Sequence, residues 1–370
     1  MGSPFKYGHA SAPNWTDATQ SCLAQLGGIP EAANLGFIYV TDMFAGNMQE
    51  ILATVKLATG ISRWVGSTGI GVCASSTEYL DKPAIAIMLG EFPEQSFSVI
   101  HTLKEMGDLQ DKVAAGTGEA YFGIVHADPE NQHMPALIVA FAKKMASGFV
   151  VGGLTSSRNE NVHVADEVTH GGLSGVVFSV DVALSTRLTQ GVSPLGKLHE
   201  VTEGGANVIA RIDDKPAFDV LREEIGEVLS RDLSRLSGYI FVGLSIPGSD
   251  TGDYVVRNLV GIDVDRKMLA IGDSVENGRT LLFCRRDGST AVQDMQRMLD
   301  EIKAGISKPV RGAIYFSCLG RGESMFGPDS EELKMISRTL GEIPLVGFFA
   351  NGEISHDRIY GYTGVLTVFL

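Results

Sequence analysis

Apolar residues along the chain fall into short runs whose spacing alternates between buried strand and helix, in an order that recurs. GFIYVT, Gly36–Thr41, reads as a strand buried on both faces. A loop with Asp42 and Gly46 follows. Asn47–Thr59 then places Met48, Ile51, Leu52 and Val55 at helical spacing, and Gly60 ends the helix. A second strand, Ser62–Val65, runs into a polar turn, Gly66-Ser67-Thr68-Gly69, and Pro83–Leu89 closes the unit.

The same order returns at Glu119–His126, Met134–Ala146, Phe149–Leu154 with Thr155-Ser156-Ser157, and Gly175–Val182. It returns again at Gly312–Cys318, Ser330–Leu340, Pro344–Ala350 with Asn351-Gly352-Glu353, and Tyr362–Leu370. A weaker copy runs through Asn207–Ile212, Ala217–Leu229, Tyr239–Ser245 and Tyr254–Ile262. A helix between two strands predicts a right-handed crossover in a parallel pair, with the closing strand added antiparallel. The predicted fold class is α/β: two related domains, 1–190 and 191–370, of mixed β-sheets covered by helices. The boundary is expected around Thr186–Glu203, where Gly191, Pro194, Gly196 and Gly204-Gly205 cluster. One continuous sheet is the alternative. Strands such as FIYV and GVLTVFL are apolar at nearly every position, so both faces need cover: helices on one, a second sheet or the partner domain on the other.

A length of 370 residues suits two domains, and 44% apolar residues fill a sizeable core. Forty-four acids against thirty bases give a net charge of −14, and no run of Lys or Arg exceeds two. That disfavours nucleic acid and anionic membrane as partners. The four cysteines, Cys22, Cys73, Cys284 and Cys318, are scattered without a C-x-x-C, which suits a reducing cytoplasm. The start of the chain lacks the pattern of a signal peptide. Met1-Gly2 is followed by Lys6 where a myristoylation motif wants Ser or Thr. No apolar run approaches the roughly 20 residues of a membrane span.

In open α/β sheets ligands sit where parallel strands end, which singles out the loops after Thr41, His126 and Cys318. The densest signal is Ser317-Cys318-Leu319-Gly320-Arg321-Gly322-Glu323, followed by Gly347-Phe348-Phe349-Ala350-Asn351-Gly352-Glu353. Gly320 and Gly322 allow close backbone approach, and the guanidinium between them suits a carboxylate or phosphate. Glu353 either pairs with Arg321 to stitch two loops or holds a ligand amine. Cys318 is either an inert core cysteine or, with Arg321 beside it, a reactive thiol. Ser67, Thr68, Thr155 and Ser156 either line a pocket or only complete strand-end turns. Gly66–Gly71 lacks the lysine and helix of a Walker loop, and no G-x-S-x-G is present. Eight histidines show no metal-ligand spacing and no C-x-x-C-H occurs. No metal and no cofactor is therefore expected, although a lone axial histidine for haem would leave no spacing signature.

The run GAIYFSCLGRGESMFG with LVGFFANGEISHDRIYGYTGVLTVFL resembles the FIST C-terminal domain, on Ser317, Cys318, Gly320, Arg321, Gly322, Gly347, Phe348, Gly352 and Glu353. The stretch with Gly261, Gly278, Arg286 and Asp287 is similar too. The N-terminal half, with Gly8-His9-Ala10, Trp15, Gly66-Ser67-Thr68 and Val151-Gly152-Gly153, resembles the FIST N-terminal domain, although its turn reads GSTGIG without the acid usual there. The resemblance implies an intracellular sensory module in signal transduction. It also implies a small, amino-acid-like ligand and a signalling protein partner. Some members are tied to haem and nitric oxide, and eukaryotic relatives carry an F-box, for which this chain has no room. The expected function is thus small-ligand binding at the strand-end Gly-rich loops, through Cys318, Gly320, Arg321, Gly322, Phe348, Asn351, Glu353, Ser67, Thr68, Thr155 and Ser156. An interaction scaffold with a vestigial pocket and a haem sensor are the alternatives. No enzyme activity is expected, with a Cys318-dependent one as the exception.

Overall fold

The computed structural model describes residues 5–110, 112–230, 236, 238–246 and 254–370. The Met1-Gly2 start, weighed above as an acylation site, lies outside them. The chain divides into two compact units, one of residues Met1–Gln190 and Val292–Leu370, the other of Gly191–Ala291.

The first unit opens with β1 (Lys6–Ser11), α1 (Trp15–Gln25), β2 (Leu35–Thr41), α2 (Met48–Thr59), β3 (Trp64–Gly69), the hairpin β4 (Gly71–Ala74) and β5 (Thr77–Leu80), and β6 (Ala84–Gly90). A second round follows: β7 (Phe97–Leu103), a short hairpin β8 (Ala114–Ala115) and β9 (Gly118–Glu119), then β10 (Phe122–Ala127), α3 (Met134–Ala142), β11 (Phe149–Leu154), the hairpin β12 (His163–Ala165) and β13 (Glu167–Thr169), and β14 (Leu173–Phe178). A third round starts with β15 (Leu184–Gln190), where the chain leaves the first unit.

The second unit contains β16 (Val192–Gly205), β17 (Val208–Ile212), β18 (Lys215–Pro216), α4 (Ala217–Ser230), β19 (Ile240–Ser245), β20 (Tyr254–Asp263), β21 (Met268–Ile271) and β22 (Thr280–Arg286). They form one sheet in the order β16-β22-β19-β20-β21-β17-β18, closed on itself by β16–β17. The outcome is barrel-like. Phe218, Leu221 and Ile225 of α4 pack with Val242, Leu269 and Phe283 of the strands. The weaker fourth copy expected here is not a copy. Its two candidate parallel strands, β17 and β19, are not neighbours, and every neighbouring pair is antiparallel.

The third round resumes with α5 (Gly288–Gly305), β23 (Gly312–Cys318), α6 (Glu323–Phe326), α7 (Glu331–Leu340), β24 (Leu345–Ala350), the hairpin β25 (Glu353–His356) and β26 (Arg358–Tyr360), and β27 (Thr363–Phe369). The predicted unit is present in all three rounds. β2–β3, β10–β11 and β23–β24 are parallel, and β6, β14 and β27 add antiparallel.

The three sheets have equivalent strand orders: β1-β6-β2-β3-β12-β13, β7-β14-β10-β11-β25-β26 and β15-β27-β23-β24-β4-β5. Each is completed by the hairpin of another round. The hairpin of the first extends the third sheet, that of the second the first, and that of the third the second. This cyclic exchange gives the unit a pseudo-threefold arrangement.

Alternation along the strands sorts side chains between two layers. Phe37 and Tyr39, Ile124, and Ile314 and Phe316 point into one core shared by the three sheets. Ile38 and Val40 face α1 and α2, Val125 faces α3, and Tyr315 faces α5 and α7. The second face of each sheet is thus covered by the other two sheets.

The expected turn Gly66-Ser67-Thr68-Gly69 is part of β3, paired with Ile38–Thr41. Gly66, Gly152 and Gly347 occupy the same place in the three sheets. A Cβ there would lie 1.7, 1.9 and 1.7 Å from the carbonyl oxygens of Ile38, Val125 and Tyr315. Glycine is required by this close approach.

Candidate functional site

Register makes Tyr39, His126 and Phe316 equivalent. Their rings meet at the pseudo-threefold axis, with centroids 5.5, 6.3 and 6.0 Å apart. The Tyr39 hydroxyl lies 3.1 Å from His126 Nε2, and His126 Nδ1 has no partner. Burial, then the neighbouring His163, holds His126 well below the ordinary imidazole range. Phe348, proposed above as a ligand contact, stacks on Tyr39 in this core, fully buried.

Thr41, Asp128 and Cys318 follow the same strands at equivalent positions, so the three best loops share one end of the unit. At the first rim, Asp42 accepts from Arg158 Nε at 2.8 Å, Nη2 at 2.9 Å and the Arg158 amide at 3.0 Å. Burial opposes the charge, but these bonds keep the Asp42 carboxyl below its usual range. At the second rim, Asp128 accepts from the Glu130 and Gly171 amides and from Asn161. Both acids are saturated.

The polar residues expected to line these rims are buried and bonded within the protein. Ser67 Oγ lies 2.8 Å from Thr155 Oγ1, which lies 2.6 Å from His163 Nε2. Burial lowers the His163 pKa to about 4. Thr68 Oγ1 bonds the Val162 backbone. Ser156 Oγ accepts the Ile70 amide and donates to the Phe349 carbonyl.

The third rim is different. Arg321 N–H closes a turn onto the Cys318 carbonyl at 2.9 Å, and Gly322 at φ +56° redirects the chain into α6. The Arg321 side chain is fully buried, with Phe326 4.9 Å over it. Its Nε donates to Glu332 Oε1 at 2.7 Å. Glu332 also accepts from Tyr315 OH at 2.6 Å, from Ser317 Oγ and from the Gly322 amide at 2.9 Å. Burial works against the guanidinium charge, and Glu332 more than offsets it, raising the Arg321 pKa. The partner of Arg321 is therefore Glu332 and not Glu353, the one the loop sequences pointed to. Glu332 was missed, although its position was readable: it precedes Met335 and Ile336 by three and four residues, on the buried stripe of α7.

Glu353 is fully buried and its Oε2 accepts the Thr363 amide at 3.1 Å and the Thr363 hydroxyl at 2.6 Å. Burial pushes its pKa up to about 8, with Thr363, Arg321 and Cys318 pulling the other way. Glu78, from the hairpin of the first round, accepts the Glu323 amide at 3.0 Å. Burial and then Glu332 raise it to about 7. Arg321 Nη1, Glu353 Oε1 and Glu78 Oε2 are buried without hydrogen-bond partners. Cys318 is 9% exposed, and burial followed by Glu353 raises its thiol far above the ordinary value. The expectation that Arg321 activates it fails because desolvation outweighs the guanidinium. Gly320 lies under the Tyr362 ring, where a Cβ would come within 2.7 Å, and Asn351 is exposed at the rim.

The structure therefore brings Cys318, Gly320, Arg321, Gly322 and Glu353 to one rim, while Ser67 and Thr155 bond each other and Thr68 and Ser156 bond backbone groups. Among the described residues no group of three or more His, Cys, Asp or Glu is placed to hold a metal ion, and no helix is long and apolar enough to cross a membrane. A surface cleft of about 690 Å³ lined by Asn34, Ile61, Arg63, Gln95 and Phe97 contains none of the expected residues.

The molecule is thus a mixed α/β protein with a threefold-repeated unit and a barrel-like one, and among the described residues the buried carboxylate and guanidinium atoms without partners gather at one strand-end rim. It belongs to the FIST family: the FIST N domain matches residues 34–215 and the FIST C domain residues 217–356. FIST domains are associated with sensing in signal transduction. The family boundaries cut across the compact units, since the FIST N match ends and the FIST C match begins inside 191–291. An uncharacterized protein of Mycobacterium tuberculosis is 28% identical over 348 residues, 87% of each chain. Another, of Mycobacterium bovis, is 25% identical over 355 residues, 92% of this chain and 91% of that one. A chain in the structure of PurLQS from Thermotoga maritima, 10% identical, aligns with 99% of this chain and 72% of its own at a TM-score of 0.22, which is too low to support an argument.

Proposed function

We propose that this protein is a small-ligand sensor in signal transduction whose ligand is held at the third rim, by the loops Cys318–Gly322 and Asn351–Glu353. One observation carries the reading. Three of the six buried side-chain atoms without partners among the described residues, on Arg321, Glu353 and Glu78, converge on this rim. Leaving such groups unpaired costs about 1–3 kcal/mol each, more when charged. A ligand offering an acceptor to Arg321 Nη1 and a donor to Glu353 Oε1 would remove that cost, and an amino-acid-like zwitterion has both. Cys318 then serves as a wall of the site rather than as a nucleophile. Four unpaired buried cysteines fit a cytoplasmic setting.

The test is native mass spectrometry of freshly purified protein, followed by calorimetry with the common amino acids. Wild type is expected to retain or bind one of them. Glu353→Gln, which keeps the Thr363 contacts, should weaken binding about 10- to 100-fold, the worth of one charge-assisted bond. Absence of any bound or binding small molecule would favour the scaffold reading, which has its own observation: Ser67, Thr68, Thr155 and Ser156 are satisfied internally and have nothing left to offer a ligand. The haem reading has less support, because the buried imidazoles are engaged, His126 by Tyr39, Phe316 and Phe348, His163 by Thr155 and Ser174, and His199 by Asp213 and Glu224.

A further inference from the structure

We infer that the third rim takes the cationic end of its ligand in exchange for a proton held by Glu353. The inference rests on the ligand-binding reading above and adds what regulates that site.

The argument starts from a count of charge. Three carboxyls and one guanidinium meet at this rim: Glu332 and Glu353 act on Arg321, and Glu78 lies beside Glu332 on the Glu323 amide. Glu332 is spent on Arg321 at 2.7 Å and on Tyr315, Ser317 and Gly322. That pair is neutral, so ionised Glu353 would be a buried negative charge without a counterion. Such a charge costs several kcal/mol, and the group keeps its proton instead. The hydrogen bonds say where. Both Thr363 donors point at Oε2, so the proton sits on Oε1, the atom without a partner.

Its neighbours are accounted for. Thr363 on β27, Arg321 in the rim loop and Cys318 at the end of β23 act on Glu353. Glu332 on α7 and Glu323 on α6 act on Glu78 and add further negative charge to the rim. The remedy for an acidic excess is a cation or a proton, and the two compete. An ammonium arriving at Oε1 makes the carboxylate form favourable. The step balances as R–NH3+ plus Glu353–COOH giving R–NH3+ paired with Glu353–COO−, with one proton released to solvent. Ligand affinity then rises with pH up to the titration of Glu353, pushed up to about 8 by burial.

The experiment uses the full chain and has two arms. In the first, infrared difference spectra between pH 6 and pH 9, without ligand, should show protonated-carboxyl bands that disappear on raising the pH, and the component lost between pH 7 and pH 9 should be missing in Glu353→Gln, leaving that of Glu78, which titrates lower. In the second, glycine and methylammonium chloride are titrated by calorimetry at pH 6, 7 and 8 in buffers of different ionisation enthalpy. Wild type should gain up to about tenfold in affinity per pH unit and release close to one proton per ligand at pH 6 and 7 and about half of one at pH 8, while Glu353→Gln should be weak and flat. Binding that is independent of pH in wild type overturns the exchange and leaves the ligand reading standing. A missing carboxyl band overturns the exchange as well. A band that is present with neither probe bound overturns both.

Discussion

Gly347 has its α-carbon against the Tyr315 carbonyl, where a side chain has no room. Gly347→Ala would place a methyl 1.7 Å from a backbone oxygen that cannot move without parting β23 from β24. A loss of about 3 kcal/mol is expected, at the upper end of overpacking costs, measured by urea denaturation. Gly46→Ala, where nothing lies within 4 Å, should be near neutral. The glycines themselves stood out in the sequence; their meaning did not. A Gly-Ser-Thr-Gly run has the composition of a turn, and only the neighbouring strand shows that Gly66 is there for close approach. Cys318 carries the opposite lesson. Its place at a strand end beside an arginine was legible, but the sign of its pKa shift depends on burial, which a local motif does not encode. With all four cysteines buried, a mild alkylator should label the native protein slowly at every one and the urea-unfolded protein fast. Rapid native labelling of Cys318 would restore the reactive-thiol reading.

At the scale of elements, α7 is the part that locks the third rim. Its buried stripe carries Leu333 and Ile336 and also Glu332, which reaches Arg321 from beyond the loop. In the sequence Arg321 is a glycine-flanked loop residue whose guanidinium suits a ligand carboxylate or phosphate. Its side chain is instead the only cation in a buried network of Glu332, Tyr315 and Ser317. Glu332→Ala should cost about 3–5 kcal/mol, because it strands a buried guanidinium. Arg321→Met should cost less than Glu332→Ala, since the remaining carboxyl can take up a proton while the guanidinium cannot lose one. Equal melting temperatures for wild type and Glu332→Ala would refute the network. The strand–helix–strand–strand unit was legible because each piece has its own period. The hairpin exchange was not, because pairing Gly71–Ala74 with β24 is a contact between segments about 270 residues apart, and periodicity carries no information about distant partners.

For the molecule as a whole, the threefold repeat sets three rims equivalent in backbone and leaves them unequal in charge, so the pH dependence of stability reports on the inequality. His163 is lowered to about 4 from 6.5, and His126 lies well below 6.5. Both are neutral when folded and protonate when unfolded, so their contribution is complete above pH 6.5 and is lost as the pH falls. Glu78 and Glu353 are raised from 4.5 to about 7 and about 8. They hold protons in the folded state that the unfolded chain has released, so their contribution is complete below pH 4.5 and is lost as the pH rises through those values. Between pH 4.5 and 6.5 the two effects oppose each other and stability should be nearly level. From pH 6.5 to 8 only the carboxyls act. Stability should fall there, by up to about 1.4 kcal/mol per pH unit for each proton involved, and then level off. Below pH 4.5 Glu78 and Glu353 no longer act, and the histidines are joined by carboxyls with lowered pKa values, among them Asp42, whose Arg158 pair is thus an acid-labile contact, and Asp294. Glu353→Gln cannot ionise, so it should flatten the alkaline limb between pH 7 and 8 and leave the acid limb unchanged. Urea denaturation at half-unit pH steps from 4 to 9 measures both limbs. An alkaline limb that persists unchanged in Glu353→Gln would mean that the buried proton of the third rim is not held by Glu353.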